Sequence, residues 1–438
     1  MDQYQSNWRL LSLFVLQGLI PCVVLITTPK RSALRYLCIP CMVWIVSQMM
    51  YPVQAPGYIS THFLGSSATF ILTALDLLLI NPQAGREFVD ENGSTKSFLS
   101  CLIQAVQLLT YTRAINTPRE VKNVPPFPEY YNKRDPKVIP RGRFLVRETA
   151  IAIWQFMVLD TFGVLTSRHA MNDQDEESSV SSVIQWDIPG QEMIVQAIQT
   201  LITWLVVSRI LLSFYYRVAS IIFVSLGDSP SNSPPLIGRM ADIYTLRNFW
   251  GWVALLFVRL VRSNFHRAYR KFWHQLLRLP LTSTSKFLAR DVLGLPRPSF
   301  VERYTNVFIV FFFSGLTHAI LDSLRNVSPW DFWTMSFFLS FVVGYMIEDG
   351  IQDIWKRILG SQTDSGLPVW WQKALGFCWV VTWLGVTSPW YFRPGMLRPE
   401  EQMSLVPFSI VGLISLPVSN SIVIGGGLVL KFLFEGEI

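Results

Sequence analysis

Charged residues are scarce in this chain. Asp, Glu, Lys and Arg make up 15% of its 438 residues, against roughly 25% in an average soluble domain. Cysteine is scarce too, and odd in number: Cys22, Cys38, Cys41, Cys101 and Cys378. Cys38 and Cys41 form a nominal CxxC, but it lies inside an apolar run. These thiols therefore read as packing residues rather than a redox pair or a zinc site. Of the five histidines, only His274 and His318 are worth pairing. Two imidazoles without nearby acids make a poor metal site. No HExxH, GxSxG, P-loop or GxGxxG occurs. No bound metal or cofactor is expected, and no internal repeat is visible.

What the chain does have is apolar bulk. Half of its residues are hydrophobic, with 30 Phe and 16 Trp, and the mean hydropathy is +0.33. Such richness excludes disordered and fibrous chains. The apolar residues come in blocks, which argues against an ordinary soluble enzyme. The blocks are Trp8–Thr27, Tyr36–Tyr51, Thr61–Ile80, Glu148–Leu165, Met193–Ser213, Tyr304–Leu324, Phe332–Ile347, Val369–Trp390 and Leu405–Phe432. Most are near the length of about 17–25 residues needed to cross a bilayer core. In lipid the backbone must satisfy its own hydrogen bonds, so the spans are helices. The expected fold is all-α: a multi-pass transmembrane bundle of about nine spans, with eight to ten allowed, in one domain over 1–438. Val218–Leu226 is either an extra short span or the tail of the fifth.

Charge between the blocks sets an expected orientation. Segment 81–147 carries eleven Lys/Arg against six acids, and 227–300 carries eleven against three. Segment 166–192 reverses this, with one Arg against six acids. The positive-inside rule places the two basic loops in the cytosol and the acidic loop outside it. The net charge of +7 is thereby assigned to cytosolic loops, and nucleic acid is not an expected partner. The lipid bilayer is.

One ionisable side chain sits deep in an apolar block. His318 lies in Val-Phe-Ile-Val-Phe-Phe-Phe-Ser-Gly-Leu-Thr-His, starting at Val307. Ionisable groups inside spans are costly, and they mark functional sites by default. A neutral imidazole can serve as a general base; a helix-packing histidine bonded to Ser314 is the other reading. Ser314 and Gly315 leave room beside the ring for a substrate or a partner helix. A second constellation joins Tyr244-Thr-Leu-Arg-Asn-Phe-Trp-Gly to Lys271-Phe-Trp-His-Gln-Leu-Leu-Arg. Cations there would meet phosphates and aromatic rings would stack; an interfacial helix with Trp anchors and snorkelling cations has the same composition. Asp76 and Asp160 are read as caps or as substrate-facing. Glu348, Asp349 and Asp353 are read as the solvated end of the seventh span.

At these residues the chain resembles the fungal wax-synthase-like branch of the membrane-bound O-acyltransferase superfamily. Arg113-Ala-Ile-Asn-Thr-Pro-Arg-Glu-Val-Lys-Asn is similar to its R-G-x-G-T-P-W-E-V-K-N segment. The two pieces at 244–251 and 271–278 resemble its S-L-R-x-F-W-G-R-x-W-H-Q-x-x-R box, and Ser314-Gly-Leu-Thr-His its S-G-x-x-H box. The resemblance runs over roughly 100–390. It implies His318 as the catalytic base. It associates Arg247, Asn248, Phe249, Trp250, Phe272, Trp273, His274 and Ser314 with binding acyl-CoA or the acceptor. It implies acetyl-CoA as co-substrate, a hydrophobic terpenoid or meroterpenoid alcohol as acceptor, and the endoplasmic reticulum as the membrane. A long-chain wax-ester or sterol acyltransferase would share the mechanism. A transporter would instead show paired intramembrane charges or inverted repeats.

The chain departs from the pattern in several places. Asn116 stands where the motif has Gly, and Arg119 where it often has Trp. The box is also split by nineteen residues, Trp252–Arg270. Two explanations are open: a genuine basic amphipathic insertion, or a retained intron of 57 nucleotides. Val253 is compatible with a GT-type donor site, and Ser263-Asn264 with a branch-site-like TCTAAC.

Overall fold

The computed structural model describes residues 3–50, 58–83, 97–131, 139–176, 191–250, 272–323, 332–359, 370–396 and 405–434. The insertion Trp252–Arg270 lies outside them. All regular structure among the described residues is helical. Eight helices are long and apolar enough to span a bilayer, by length and composition.

The N-terminal bundle consists of α1 (Gln3–Thr27), α2 (Ala33–Met50), α3 (Tyr58–Leu75) and the shorter α4 (Phe98–Thr110). α1 packs against each of the other three. Cys22, Cys38 and Cys101 meet in its apolar core, beside Met42, Ala74 and Leu78. α3 ends in a π-helical turn, Asp76–Ile80. There buried Asp76 accepts from Asn81 Nδ2 at 2.7 Å and pairs with Arg119. The residue that departs from the motif at 119 thus neutralises a carboxylate that is 1% exposed.

α5 (Arg141–Glu176) packs on α7 (Ser208–Ser225) and α13 (Leu416–Leu433). α6 (Gln191–Ile202) and α7 form one span, Glu192–Ser225, joined by a π-helical turn at Thr203–Val207. Val218–Leu226 is therefore the tail of the fifth span. A buried charge in this layer is matched at Glu148, which is paired with Arg147 and Arg217 and accepts from Tyr131 Oη at 2.9 Å. A lone buried charge would cost several kcal/mol.

α8 (Leu246–Trp250) and α9 (Arg278–Lys286) flank the split box. α10 (Phe300–Ser323), α11 (Trp333–Leu359) and α12 (Trp370–Met396) complete the C-terminal half with α13. α10 packs on α9, α11 and α3, and so ties the two halves together. α12 packs on α11 and α6. It has a span's length, but by the same standard it is not apolar enough, because Trp, Thr, Ser and Pro dilute its aliphatic residues. The final block is shorter than expected: its helix starts only at Leu416. In the turns before it, Asp160 accepts from the backbone N–H of Ile410 (2.7 Å) and Val411 (2.9 Å). Asp160 is a cap for a loop, which a buried carboxylate does well.

Candidate active site

The box begins at a clamp. Leu246 N–H donates to Glu348 Oε1 at 2.5 Å, and Trp379 Nε1–H donates to the same oxygen at 3.0 Å. Asp349 pairs with Arg247 and Arg303 and accepts from Tyr304 Oη. The expected solvated helix end is therefore corrected for Glu348 and Asp349, while Asp353 is exposed as expected. Glu348 is 5% exposed and fastens α8 and α12 to α11, while Asp349 fastens α8 and α10 to α11. The reason is length: α11 runs on to Leu359, so these residues are interior to the helix. Arg247 spends its charge on Asp349 and lies 5.4 Å over the Tyr345 ring.

The two halves of the split box meet. Phe272 N–H donates to Asn248 O at 3.0 Å, and Trp273 N–H to Phe249 O at 2.8 Å. Phe249, Trp250, Phe272 and Trp273 are all buried and share the largest apolar core with Trp204, Phe337, Phe338 and Phe341. Phe249 stacks on Phe272 (5.6 Å between centroids) and on Trp273 (5.4 Å). Asn248 is buried beside them. Burial of so many rings is worth several kcal/mol and fixes the box as a rigid wall.

His318 stands across this wall, one turn beyond buried Ser314. Gly315 is what lets α11 come so close. A Cβ there would lie 2.9 Å from Met335 Sδ and 3.2 Å from Phe338 Cβ. Phe338 then stacks on the His318 ring at 5.0 Å and 15°. The space beside the small residues is thus filled by a partner helix. On the other side Tyr391 Oη lies 3.2 Å from His318 Nδ1. A neutral imidazole carries one N–H. In the tautomer that donates Nδ1–H to the tyrosine oxygen, Nε2 has the free lone pair that a base needs.

His274 comes directly after Trp273 in sequence, with their rings 5.5 Å apart. Burial pushes its imidazole down to about 3, and the neighbouring His318 pushes it the same way. The two histidines thus lie near one another, and burial keeps His274 neutral at physiological pH. Each keeps part of its surface open, although Trp273, Gln275 and Ser314 around them are buried. His274 Nδ1 is buried and has no partner among the described residues. Among the described residues no group of three potential ligands for a metal exists.

The segment 113–123 roofs the box. Arg113 donates to Pro235 O at 2.8 Å and Pro234 O at 2.6 Å and meets Tyr216. Gln275 Nε2 donates to Asn123 O at 3.0 Å, and Arg278 Nη1 to Lys122 O. Ala114 and Asn116 have φ of 48° and 59°, the left-handed region where Gly is easiest and Asn is tolerated. The glycines of the resembling motif have their physical cause here, and Asn116 is a permitted substitute. Burial pulls the Arg278 guanidinium down to about 10, so it stays charged. Lys286 is lowered by burial and then by Arg290, Arg297, Lys122 and Arg278. These five cations form one field. Glu302 pairs with Arg290 and lies 3.8 Å from Arg297; among the described residues Lys122, Arg278 and Lys286 have no carboxylate partner.

Sequence reasoning missed Tyr391 and Trp204. Trp204 rests flat on Trp273 (5.1 Å, 12°) and edge-on to Tyr391 (4.5 Å). Nothing in either residue's local pattern separates it from an ordinary apolar-face aromatic; the signal is tertiary.

Comparison with known proteins agrees with this architecture. Residues 261–340 match the family model described as membrane bound O-acyl transferase family. An acetyltransferase of Arthrinium sp is 34% identical, over 96% of this chain and 95% of its own. An acetyltransferase of Aspergillus fumigatus is 35% identical, over 95% and 94%. One of Fusarium sporotrichioides is 31% identical, over 95% and 93%. No solved structure matches. With eight helices long and apolar enough to span a bilayer and relatives this similar along nearly the whole chain, the protein is an integral membrane acyltransferase and belongs to the membrane-bound O-acyltransferase family.

Proposed function

We propose that this protein moves an acetyl group from acetyl-CoA to a hydroxyl of a hydrophobic secondary metabolite, a terpenoid or meroterpenoid. The observation that carries the reading is His318, its Nδ1 held 3.2 Å from Tyr391 and its ring inside an aromatic wall. Nε2 takes the proton of the acceptor hydroxyl as its oxygen attacks the thioester carbonyl carbon. The new C–O bond forms, the C–S bond breaks, and the proton passes to sulfur, leaving CoA as the thiol. Tyr391 orients His318 and accepts from Nδ1–H in the imidazolium that forms on the way. General-base help of this kind contributes about 10²–10⁴-fold.

Two features support the choice of substrates. Trp204, Trp273, Phe337, Phe338 and Tyr391 crowd around the histidine, which suits a two-carbon acyl group better than a long chain. The field of Lys122, Arg278, Lys286, Arg290 and Arg297 suits the phosphates of CoA. It stands on the same roof as Gln275, next to His274. The endoplasmic reticulum is the membrane proposed.

The test uses microsomes containing the full chain, radiolabelled acetyl-CoA and an extract of hydroxylated terpenoids. A labelled, less polar product is expected from the wild type. His318→Ala should lower its rate by about 10³-fold without loss of the protein from the membrane. Unchanged turnover in His318→Ala refutes the base assignment. Transfer from long-chain acyl-CoA in preference to acetyl-CoA refutes the donor.

A further inference from the structure

The aromatic wall contains polar atoms that the protein leaves unsatisfied. Among the described residues Trp204 Nε1, Trp250 Nε1 and His274 Nδ1 are buried without a partner. All three belong to rings that touch Trp273, at 5.1, 5.9 and 5.5 Å. A buried N–H without an acceptor costs about 1–3 kcal/mol. Two such indoles and an unpartnered imidazole nitrogen around one ring, beside a histidine that keeps part of its surface open, mark a place where a bound oxygen would be received.

Trp204 is the indole that reaches the histidine's own partner. It is 3% exposed, and its ring lies 4.5 Å from that of Tyr391, whose hydroxyl meets His318. Its placement is built in. One turn earlier, Ser388 Oγ donates to Thr200 Oγ1 at 2.9 Å in a buried contact. That bond registers α6 against α12, four residues before Trp204 and three before Tyr391. Trp204 then falls in the π-helical turn Thr203–Val207, where Ser208 N–H bonds back to Thr203 O. The extra residue of such a turn rotates the next stretch of helix, and these turns are frequent at functional sites.

We propose that Trp204 is a catalytic residue: its indole N–H donates to the thioester carbonyl oxygen as that oxygen becomes an oxyanion. This rests on the acyl-transfer reading above. As the acceptor oxygen adds, the carbonyl π electrons move to oxygen. The Nε1–H, desolvated in advance, meets that charge without reorganisation, and the C=O reforms as the C–S bond breaks. A fixed donor in a dry site stabilises the charged state far more than the neutral carbonyl.

The experiment compares wild type, Trp204→Phe and Trp204→β-(3-benzothienyl)alanine in the same microsomes, with His318→Ala beside them. The benzothienyl side chain keeps the bicyclic shape and lacks only the N–H. Both Trp204 variants should lose about 10²-fold in kcat, with KM for acetyl-CoA within about twofold, at unchanged protein level and melting temperature. Full kcat in the benzothienyl variant overturns the proposal, even if Trp204→Phe is inactive, because Trp204 then acts by shape alone. A raised KM at unchanged kcat also overturns it. The failure of the base reading shows separately, as wild-type turnover in His318→Ala, and the role of Trp204 is still decided by the isostere.

Discussion

Replacing Tyr391 by Phe removes one oxygen and little else. The ring contacts to Trp204 at 4.5 Å, Phe337 at 5.3 Å and His318 at 5.5 Å are available to either ring. What goes is the 3.2 Å hydrogen bond to His318 Nδ1. In the resting enzyme that bond joins two neutral groups, worth about 1 kcal/mol net. When His318 has taken the acceptor's proton, the bond is charge-assisted and worth about 1.5–3 kcal/mol. Only the difference, about 0.5–2 kcal/mol, bears on the chemical step, which predicts roughly a 2–30-fold fall in kcat. KM for acetyl-CoA should stay close to wild type, since the oxygen faces the histidine. The assay is initial-rate acetyl transfer at saturating acceptor, with thermal melting in detergent as a control for folding. A kcat within twofold of wild type would show that Tyr391 neither sets the tautomer nor supports the imidazolium.

Three further outcomes are expected. Lys122→Gln with Lys286→Gln should raise KM for acetyl-CoA by about 3–10-fold at little cost in kcat, with a flatter dependence on salt; an unchanged KM would move the donor's phosphates elsewhere. The folded-state value of His274 lies below its ordinary one, near 3. Its neutral form is therefore compatible with folding above pH 6.5, and stability should drain away as pH falls from 6.5 towards 3, by about 1.4 kcal/mol per unit. His274→Gln should flatten that slope in a melting series, and a slope as steep as wild type would count against this origin. A chain lacking Trp252–Arg270 should reach the membrane and transfer acetyl at least as fast as the full chain, which radiolabel incorporation would check.

Much of the architecture could be read along the chain because lipid leaves few options. An apolar run of span length must be a helix, and His318 stood out because an imidazole there is costly. Two kinds of feature stayed hidden. One is where a helix ends: α11 outruns its apolar stretch by a dozen residues, from Ile347 to Leu359, so Glu348 and Asp349 became a clamp instead of a solvated edge. The other is any contact that depends on the register between two helices. Tyr391 and His318 are 73 residues apart in sequence, and the Thr200–Ser388 bond that aligns α6 with α12 spans 188. Neither leaves a trace in periodicity. The box itself was legible in composition, but its use was only half so. Its aromatic residues proved to be a wall, and Arg247 is held by Asp349, while among the described residues it is Lys122, Arg278 and Lys286 that have no carboxylate partner.

The geometry on either side of Trp252–Arg270 bears on what that segment is. Phe272 N–H bonds to Asn248 O and Trp273 N–H to Phe249 O. With the nineteen residues taken out, each of these pairs would be five apart in sequence, the spacing of a π-helical turn. The turn before them, Phe249 N–H to Thr245 O at 2.9 Å, has ordinary α-helical spacing. The backbone at the two edges is therefore bonded as neighbours along one helix are bonded, and the shortened chain can make the join directly. Trp250 meets Trp204, Phe311, Phe338 and Phe341, and Trp273 stacks on Trp204, so both halves of the box are anchored in the same core of described residues. A retained intron and a genuine insertion would part on one observation. A spliced message that still encodes Trp252–Arg270 sinks the intron, and a shortened chain that fails to transfer acetyl shows that the segment serves the site after all.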